Sequence, residues 1–438
     1  RRPGPRVGDS TATRTPPAPP PFRAAPRPAI VALMRPTARP AGPVAPALAA
    51  ALAPPIMEAK AWLAGRSFPP ERPLIDLSQA APADPPPPEL REAMAEAILH
   101  DPKAHLYGPV LGDPALREAI AARWSEAYAG DVRPGDVAVT AGCNEAFCAA
   151  LATLAGPGDA VLLPTPWYFN HKMWLDMAGV EARPLPCGPD LVPDPEAAAR
   201  LWDDRTRAVV LVTPNNPTGA EHPPETVHAF AALARSRGGA LVLDETYRDF
   251  DPRPGPPHAL FADPGWRDHV VHLYSFSKAY RLTGHRTGAL IAGAERLALA
   301  EKFLDTVTIC PPRLGQIAAL HGLTRLAPFV AEQKAGILAR RRLIEAELPA
   351  ALPGWELMGA GAYFAWVRHP FAAPSAELAR RLVDEAGLLV LPGTMFTPPE
   401  DPLGRASFRL AFANLGPDGL REALARLAAF DAAERRAA

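Results

Sequence analysis

The chain carries the stretch VVHLYSFSKAYRLTGHRTG at residues 270–288, in which an apolar run ends in two serines and a lysine. The run that precedes Ser275 has the composition of a strand covered on both faces. In an open α/β sheet, polar groups that follow such strands meet in one crevice beyond the carboxyl ends. Ser275, Ser277, Lys278 and Arg286 therefore suit an amine bonded to an aldehyde whose phosphate group needs donors nearby.

Similar short apolar runs alternate with segments of helical composition on both sides of this stretch. They lie at residues 137–140, 160–163, 208–213, 240–243 and 288–292. This alternation indicates an α/β fold class, with a large domain whose mostly parallel sheet is flanked by helices. After about residue 300 a long helical stretch, strand-like pieces and a final helix indicate a smaller α+β domain. The strand-like pieces lie at residues 363–367, 388–391 and 408–413.

The domain boundaries follow from these changes in composition. Residues 1–55 hold 15 of the 56 prolines, and such a stretch is expected to be a disordered Pro/Arg/Ala-rich arm. Residues 56–85 are expected to pack with the small domain, through a strand around Leu74–Leu77. The large domain is expected at 86–305 and the small domain at 306–438.

Asp244 follows the apolar run at 240–243, which is an unfavourable place for an unpaired carboxylate because desolvation is costly. A cation must therefore face it. A protonated pyridine nitrogen meets that need and keeps the ring able to accept electrons from a carbanion. The alternative role is to cap the following helix. Tyr247 is expected to point its hydroxyl toward the same crevice, and packing is its alternative role.

Three other strand ends carry polar or aromatic groups. Gly142 opens a predicted helix, and the N–H groups of Cys143 and Asn144 at its positive end form a seat for a phosphate. Tyr168 can cover a flat ring, with core packing as the alternative. Asn216 can offer its amide to a ring oxygen, with an ordinary Asn-Pro turn as the alternative.

With these residues in order, the chain resembles the class I/II aminotransferase family, the fold-type I pyridoxal-phosphate (PLP) enzymes, over roughly residues 70 to 430. The motifs that carry the resemblance are Asn216-Pro-Thr-Gly219, Asp244 with Tyr247, Ser275-x-Ser-Lys278, Gly284-x-Arg286-x-Gly288, and Arg409 after a late strand. The resemblance implies PLP as cofactor and transfer of an amino group between an amino acid and a 2-oxo acid.

The resemblance also implies a role for each residue. Lys278 would carry the cofactor aldehyde and move the substrate proton, and with Asp244 and Tyr247 it forms the predicted catalytic set. Asp244 would pair with the pyridine nitrogen, Tyr168 would stack on the ring, and Asn216 with Tyr247 would hold the phenolic oxygen. The phosphate would be bound by Ser275, Ser277, Arg286 and the backbone amides of Cys143 and Asn144.

Two further implications and one departure from the family pattern concern the substrate and the assembly. Tyr107 resembles the family's tyrosine that reaches the phosphate of the partner subunit, so a homodimer is implied. Arg409 would take the substrate α-carboxylate through two parallel hydrogen bonds, beside Asn216. The glycine that many relatives place near the start of the ordered chain is not evident in Leu77-Ser-Gln-Ala-Ala-Pro82.

Composition limits the remaining function classes. The 46 basic and 47 acidic residues nearly balance, so no nucleic-acid or membrane partner is expected. The four scattered cysteines, Cys143, Cys148, Cys187 and Cys310, indicate a reduced, cytoplasmic setting without a zinc site. No apolar run is long enough to span a bilayer.

Two alternative functions remain open from the residues. A PLP-dependent lyase or decarboxylase would use the same motifs, because these fix the cofactor rather than the fate of the carbanion. A non-catalytic PLP-binding regulatory module is the other. The aromatic stretch at residues 167–174 either lines a site for large apolar substrates or forms core, and core is the favoured interpretation.

Overall fold

The structure is a computed structural model that describes residues 42–437. The first 41 residues of the expected disordered arm, which was predicted at 1–55, lie outside the described residues. From residue 42 onward the structure differs from that expectation, since Pro46–Ala50 and Pro55–Ala61 form helices α1 and α2. Proline is tolerated there because it occupies the first turn of each helix, where its missing N–H is not needed.

The remaining elements follow in chain order. The strands are β1 (Ile75–Asp76), β2 (Val137–Thr140), β3 (Ala160–Thr165), β4 (Glu181–Pro186), β5 (Thr206–Val212), β6 (Ala240–Asp244), β7 (Val270–Ser275), β8 (Gly288–Ile291), β9 (Glu356–Gly361), β10 (Phe364–Arg368), β11 (Leu388–Leu389), β12 (Leu391–Pro392) and β13 (Ser407–Ala411). The helices are α3 (Pro88–His100), α4 (Pro114–Ala127), α5 (Cys143–Ala152), α6 (Phe169–Met177), α7 (Pro195–Leu201), α8 (Pro224–Ser236), α9 (Trp266–His269), α10 (Ala294–Val307), α11 (Arg313–Arg325), α12 (Ala327–Ala351), α13 (Ser375–Ala386), α14 (Pro402–Arg405) and α15 (Pro417–Ala437).

The large sheet has the strand order β2-β8-β7-β6-β5-β3-β4. Strand β8 runs antiparallel to both of its neighbours, and the other pairs are parallel. The predicted fold class is therefore confirmed. Strand β4 was not predicted because it is an edge strand in which only Leu185 is buried, so it lacks the apolar run of a doubly covered strand.

A second sheet has the antiparallel order β12-β13-β10-β9, and β1 pairs in parallel with β11. The segment around Leu74–Leu77 thus joins the C-terminal elements through its own two-stranded pair. Strand β9 was not predicted, because its sequence Glu-Leu-Met-Gly-Ala-Gly has no run of apolar side chains. The expected domain boundaries stay predictions.

Alternation along β6 decides which side of the large sheet Asp244 faces. Ala240 and Val242 pack in the apolar cluster that includes α5, whereas Leu241 and Leu243 pack in the cluster on the other face. Because successive side chains of a strand point to opposite faces, Asp244 falls on the α5 side. The sheet thereby directs the carboxylate toward the start of α5.

The two sheets meet backbone to backbone at the turn after β5. Gly219, at φ +79°, lies so close to Gly361 of β9 that a Cβ atom there would collide with the Gly361 backbone. A Cβ at Gly359 would lie 2.8 Å from the carbonyl oxygen of Thr218. Glycine at these positions therefore fixes the turn that carries Asn216 against the second sheet.

Replacing Gly219 with alanine tests this close contact between the two sheets. We expect Gly219→Ala to lower the free energy of unfolding by about 3 kcal/mol or more, since it adds a backbone collision to the strain of a left-handed residue. The matched control is Gly238→Ala, at φ +66° with no atom within 4 Å of the added Cβ, which should cost about 1 kcal/mol. Equal losses of stability in urea unfolding would contradict the close contact.

Candidate active site

A cavity of about 190 Å³ opens at the carboxyl ends of β5, β6 and β7. All residues predicted for the site line this cavity, with the exception of Tyr107 and Arg409. The lining residues that were predicted are Cys143, Asn144, Tyr168, Asn216, Asp244, Tyr247, Ser275, Ser277, Lys278 and Arg286. Val212 and Thr246, which were not predicted, complete the lining. Residues from widely separated parts of the chain thus meet at one point, as the strand-end argument requires.

The carboxylate of Asp244 is 4% exposed and is held by groups that were mostly missed from the sequence. It accepts a hydrogen bond from the Thr246 backbone N–H at 2.9 Å, and His171 Nε2 lies 3.4 Å from Oδ2. The Cys143 thiol lies 3.7 Å from Oδ1. Burial raises the pKa of Asp244, but the His171 and Thr246 contacts outweigh it and hold the pKa below its ordinary value. The carboxylate is therefore ionised.

His171 is the functional candidate that sequence reasoning missed. It lies on α6, three residues after Tyr168, and stacks on Phe147 at 3.9 Å between ring centroids. The available signal was its spacing, because residues one helical turn apart share a face. Trp174 of the same helix packs edge-on against Phe303 at 6.2 Å, in agreement with the core interpretation.

The amine of Lys278 is half-buried and donates a hydrogen bond to the carbonyl oxygen of Ala80 at 2.6 Å. Burial, followed by the positive charges of Arg409 and Arg286, lowers the pKa of Lys278 to about 8. A large fraction of the amine is therefore neutral at slightly alkaline pH. A neutral amine is the form that attacks an aldehyde.

The turn before α5 forms a seat for an anion. Gly142, at φ +89°, is the residue before α5, and the first N–H groups of that helix have no acceptor within it. The Arg286 guanidinium lies directly against Gly142, where any Cβ would collide with it. Ser275 Oγ accepts a hydrogen bond from the Ser277 N–H at 3.2 Å. Hydroxyls, helix N–H groups and a cation thus share one edge of the cavity.

Arg409 is 2% exposed and adjoins the cavity through Asn216. Its Nη1 donates to Asn216 Oδ1 at 3.0 Å, and its Nη2 donates to the carbonyl oxygen of Ser78. The guanidinium lies 5.0 Å from the ring centroid of Phe364 and 4.9 Å from that of Phe396. Burial lowers the pKa of Arg409 to about 10, so the group remains cationic at neutral pH.

The segment without the expected glycine lies directly beside the site. The Ser78 carbonyl accepts from Arg409 and the Ala80 carbonyl accepts from Lys278. Backbone carbonyl groups of this segment therefore accept hydrogen bonds from both cationic side chains. The position of this segment beside the substrate was expected, whereas its two hydrogen bonds to Arg409 and Lys278 were not.

Of the three tyrosines predicted for the site, Tyr168 and Tyr247 line the cavity and Tyr107 does not. Burial raises the pKa of Tyr168 and of Tyr247, so both hydroxyls stay protonated. Tyr107 is 80% exposed and lies beside a separate surface cleft with Leu106 and Cys310. The structure does not bring Tyr107 to the site of its own subunit, and its expected role requires a second copy of the chain.

Comparison with known proteins gives the family. The model of the family described as aminotransferase class I and II matches residues 72–427. The chain belongs to this family. It is 31% identical over 369 residues to a valine–pyruvate aminotransferase of Mycobacterium tuberculosis, across 81% of this chain and 90% of that protein. It is 30% identical over 367 residues to an aspartate/prephenate aminotransferase of Thermus thermophilus, with the same two coverages.

A solved structure of aspartate aminotransferase from Thermus thermophilus with maleate superposes with a TM-score of 0.79 at 28% identity, covering 88% of this chain and 99% of that one. The predicted family, fold class and aminotransferase activity are thereby confirmed. Members of the family use PLP and act on amino acids and 2-oxo acids. The roles of the individual residues stay predictions.

None of the helices in residues 42–437 combines the length and the apolar character that a bilayer-spanning segment needs. In the same part of the chain, no group of three or more His, Cys, Asp or Glu side chains is arranged to hold a metal ion.

The lowered pKa of Lys278 predicts how cofactor capture depends on pH. We expect the rate at which the apoenzyme captures PLP to rise with pH up to about 8 and then to level off, because the neutral amine reacts. The absorbance change on capture measures this rate. A rate that keeps rising toward pH 10.5, the ordinary pKa of lysine, would contradict the effect of burial. Lys278→Ala, which has no amine at this position, is the control.

Proposed function

We propose that this cavity binds PLP and that the chain uses it, through Lys278, to move an amino group between an amino acid and a 2-oxo acid. The observation that carries the proposal is the buried, ionised carboxylate of Asp244, which no lysine or arginine of residues 42–437 neutralises. A buried charge is costly without a cationic partner. The protonated pyridine nitrogen of PLP fits that position, and the bound cofactor supplies a sink for the electron pair left at the substrate α-carbon.

The anion seat fits the cofactor phosphate. The backbone N–H groups of Cys143 and Asn144 begin α5, and the helix dipole favours a negative charge there. Arg286 adds a formal positive charge beside Gly142, and Ser275 and Ser277 add hydroxyl donors. These groups would fix one end of the cofactor while Asp244 fixes the other.

The Arg409–Asn216 hydrogen bond sets the orientation of an amide. Because Asn216 Oδ1 accepts from Arg409, the Nδ2 end of the amide is left to donate to another acceptor. Tyr247 keeps its proton and is a second donor beside the cavity. Both groups suit the phenolic oxygen of PLP.

The properties of Lys278 fit a group that first holds the cofactor and then moves a proton. An amine with a pKa of about 8 accepts a proton from the substrate α-carbon and releases it again at little cost near neutral pH. The Ala80 carbonyl offers a hydrogen-bond acceptor for Nζ of the free amine. Lys278 therefore keeps a defined position within the site when it is not bonded to the cofactor.

Arg409 fits the substrate α-carboxylate. Its guanidinium is buried between two aromatic rings, where water screens its charge little, so a two-pronged pair with a carboxylate is strong. Its bond to Asn216 links the carboxylate-binding group to the group proposed for the ring oxygen.

We also propose a homodimer that completes each site. Leu99 is 72% exposed and Leu106 is 63% exposed, and Leu106 and Tyr107 line one surface cleft with Cys310, which follows the exposed Ile309, so this region is an apolar patch. Such a patch is unusual on a monomer and supports contact with a second copy. Tyr107 would then reach the phosphate of the partner subunit.

Product analysis tests the proposed reaction. We expect the PLP-loaded enzyme to produce a new amino acid only when both an amino donor and a 2-oxo acid, such as 2-oxoglutarate or pyruvate, are present. Lys278→Ala should lower kcat by at least about 10³-fold because it removes the proton-moving amine. Lys302→Ala, an exposed lysine on α10, is the matched control and should keep full activity. Release of ammonia without an acceptor, or retained turnover in Lys278→Ala, would contradict the proposal.

Light scattering tests the homodimer. We expect the wild-type particle to have twice the mass of the chain, and the double variant Leu99→Asp with Leu106→Asp to be a monomer with weakened PLP binding. Charge in an apolar contact disfavours association, and a separated subunit loses the partner's Tyr107. Leu48→Asp, an exposed leucine on α1, is the control and should remain dimeric. A dimeric double variant would place the contact elsewhere.

A further inference from the structure

We infer that Arg281 is a positioning residue for substrate binding. Through Asp84 it holds the backbone segment at residues 78–84, which we call the wall segment, against the active site. The inference rests on the proposed function, in which Lys278 bonds the cofactor and Arg409 binds the substrate carboxylate. The position of the wall segment then determines how tightly that carboxylate is bound.

The wall segment contacts both of these cationic groups through its backbone. The carbonyl oxygen of Ser78 accepts a hydrogen bond from Arg409, and that of Ala80 accepts one from Lys278 at 2.6 Å. A covalent bond between Lys278 and the cofactor would engage the amine that donates to Ala80. Asp84 is the only charged residue of the wall segment, so its side chain is the charged contact that remains available to the loop after β7.

Arg281 lies three residues after Lys278 and joins this loop to two other parts of the chain. Its Nη2 lies 3.1 Å from Oδ2 of Asp84 and donates to Oε1 of Gln333 on α12 at 2.7 Å. The guanidinium also lies 5.4 Å from the ring centroid of Phe329, one turn earlier on α12. Because Gln333 and Phe329 hold the planar guanidinium from the side of α12, it faces Asp84 in a defined orientation.

The backbone conformation of Arg281 supports a role beyond surface charge. Its φ of +55° lies in the left-handed region, which is unfavourable for a long side chain and favours glycine. A residue in such a conformation persists when its surroundings determine it. The Arg281 N–H donates to the Lys278 carbonyl at 3.3 Å, and the Tyr363 hydroxyl donates to the same oxygen at 3.5 Å. The turn that directs Arg281 toward Asp84 is therefore the turn that carries Lys278.

The exposure of the ion pair determines the size of the expected effect. The Asp84 side chain is 70% exposed, so water and salt screen its attraction to Arg281. Loss of the pair should therefore weaken substrate binding severalfold without abolishing it. The physical reason is order: a loosened wall segment no longer fixes the Ser78 carbonyl, so the Arg409 guanidinium must be ordered when the carboxylate binds.

The reaction of aminooxyacetate with the PLP-loaded enzyme tests this inference. The reagent carries a carboxylate for Arg409 and an aminooxy group that attacks the cofactor aldehyde, so the natural substrate need not be known. The change in cofactor absorbance over a range of reagent concentrations gives a half-saturating concentration and a limiting rate. We expect Arg281→Met and Asp84→Asn each to raise the half-saturating concentration about three- to fivefold, with the PLP content and the limiting rate near those of the wild type.

A double variant distinguishes positioning through one contact from two independent structural effects. Arg281→Met combined with Asp84→Asn should have the half-saturating concentration of either single variant, because both changes remove the same contact. Asp84→Glu keeps the charge and should react as the wild type does. Arg421→Met is the matched control, since it removes an ion pair of the same 3.1 Å length, with Glu347, and should also react as the wild type does.

The outcomes separate this inference from the proposed function. A wild-type half-saturating concentration in Asp84→Asn, or single effects that multiply in the double variant, would overturn the inference while leaving the proposed function intact. If Arg281→Met does not fold, the comparison of Asp84→Asn with Asp84→Glu decides. Failure of the wild type to bind PLP would contradict the proposed function itself, and this inference with it.

Discussion

The charge on a single buried carboxylate, that of Asp244, is the constraint on which the site depends. Strand alternation in β6 directs it to the α5 side of the sheet, and the Thr246 N–H and the His171 ring keep it ionised. An ionised group in such a position stabilises a cation and disfavours a neutral ligand. The fold thus favours a positively charged group at the end of the cavity near Asp244. The anion seat beside Arg286 favours a negatively charged group at the other end.

The second constraint is the close contact between the two sheets. The turn after β5 lies on β9 through glycine backbones, and β13 supplies the arginine that bonds to Asn216 of that turn. Movement of either sheet would therefore shift Asn216 and Arg409 together. A substrate carboxylate bound by Arg409 and a cofactor oxygen bound by Asn216 would be linked by one hydrogen bond.

The sequence predicted those features that depend on local pattern. Strands such as β5 and β6 are buried on both faces and read as apolar runs, and the polar residues that follow them meet because parallel strands end at one edge. Features that depend on tertiary neighbours were not predicted. Edge strand β4 and glycine-containing β9 lack an apolar run, and His171 is recognisable only when α6 is seen beside Asp244. The carbonyl partners of Arg409 and Lys278 carry no signal in residue type, because every residue has a carbonyl.

The affinity of the apoenzyme for PLP, compared with that for an analogue whose ring nitrogen is replaced by C–H, tests the central claim most directly. A charged hydrogen bond to Asp244 should make the wild type prefer PLP by about 10- to 100-fold. In Asp244→Asn this preference should fall to near unity, while the phosphate seat still binds both compounds. An equal preference in the wild type and in Asp244→Asn would show that the buried carboxylate does not recognise the ring nitrogen.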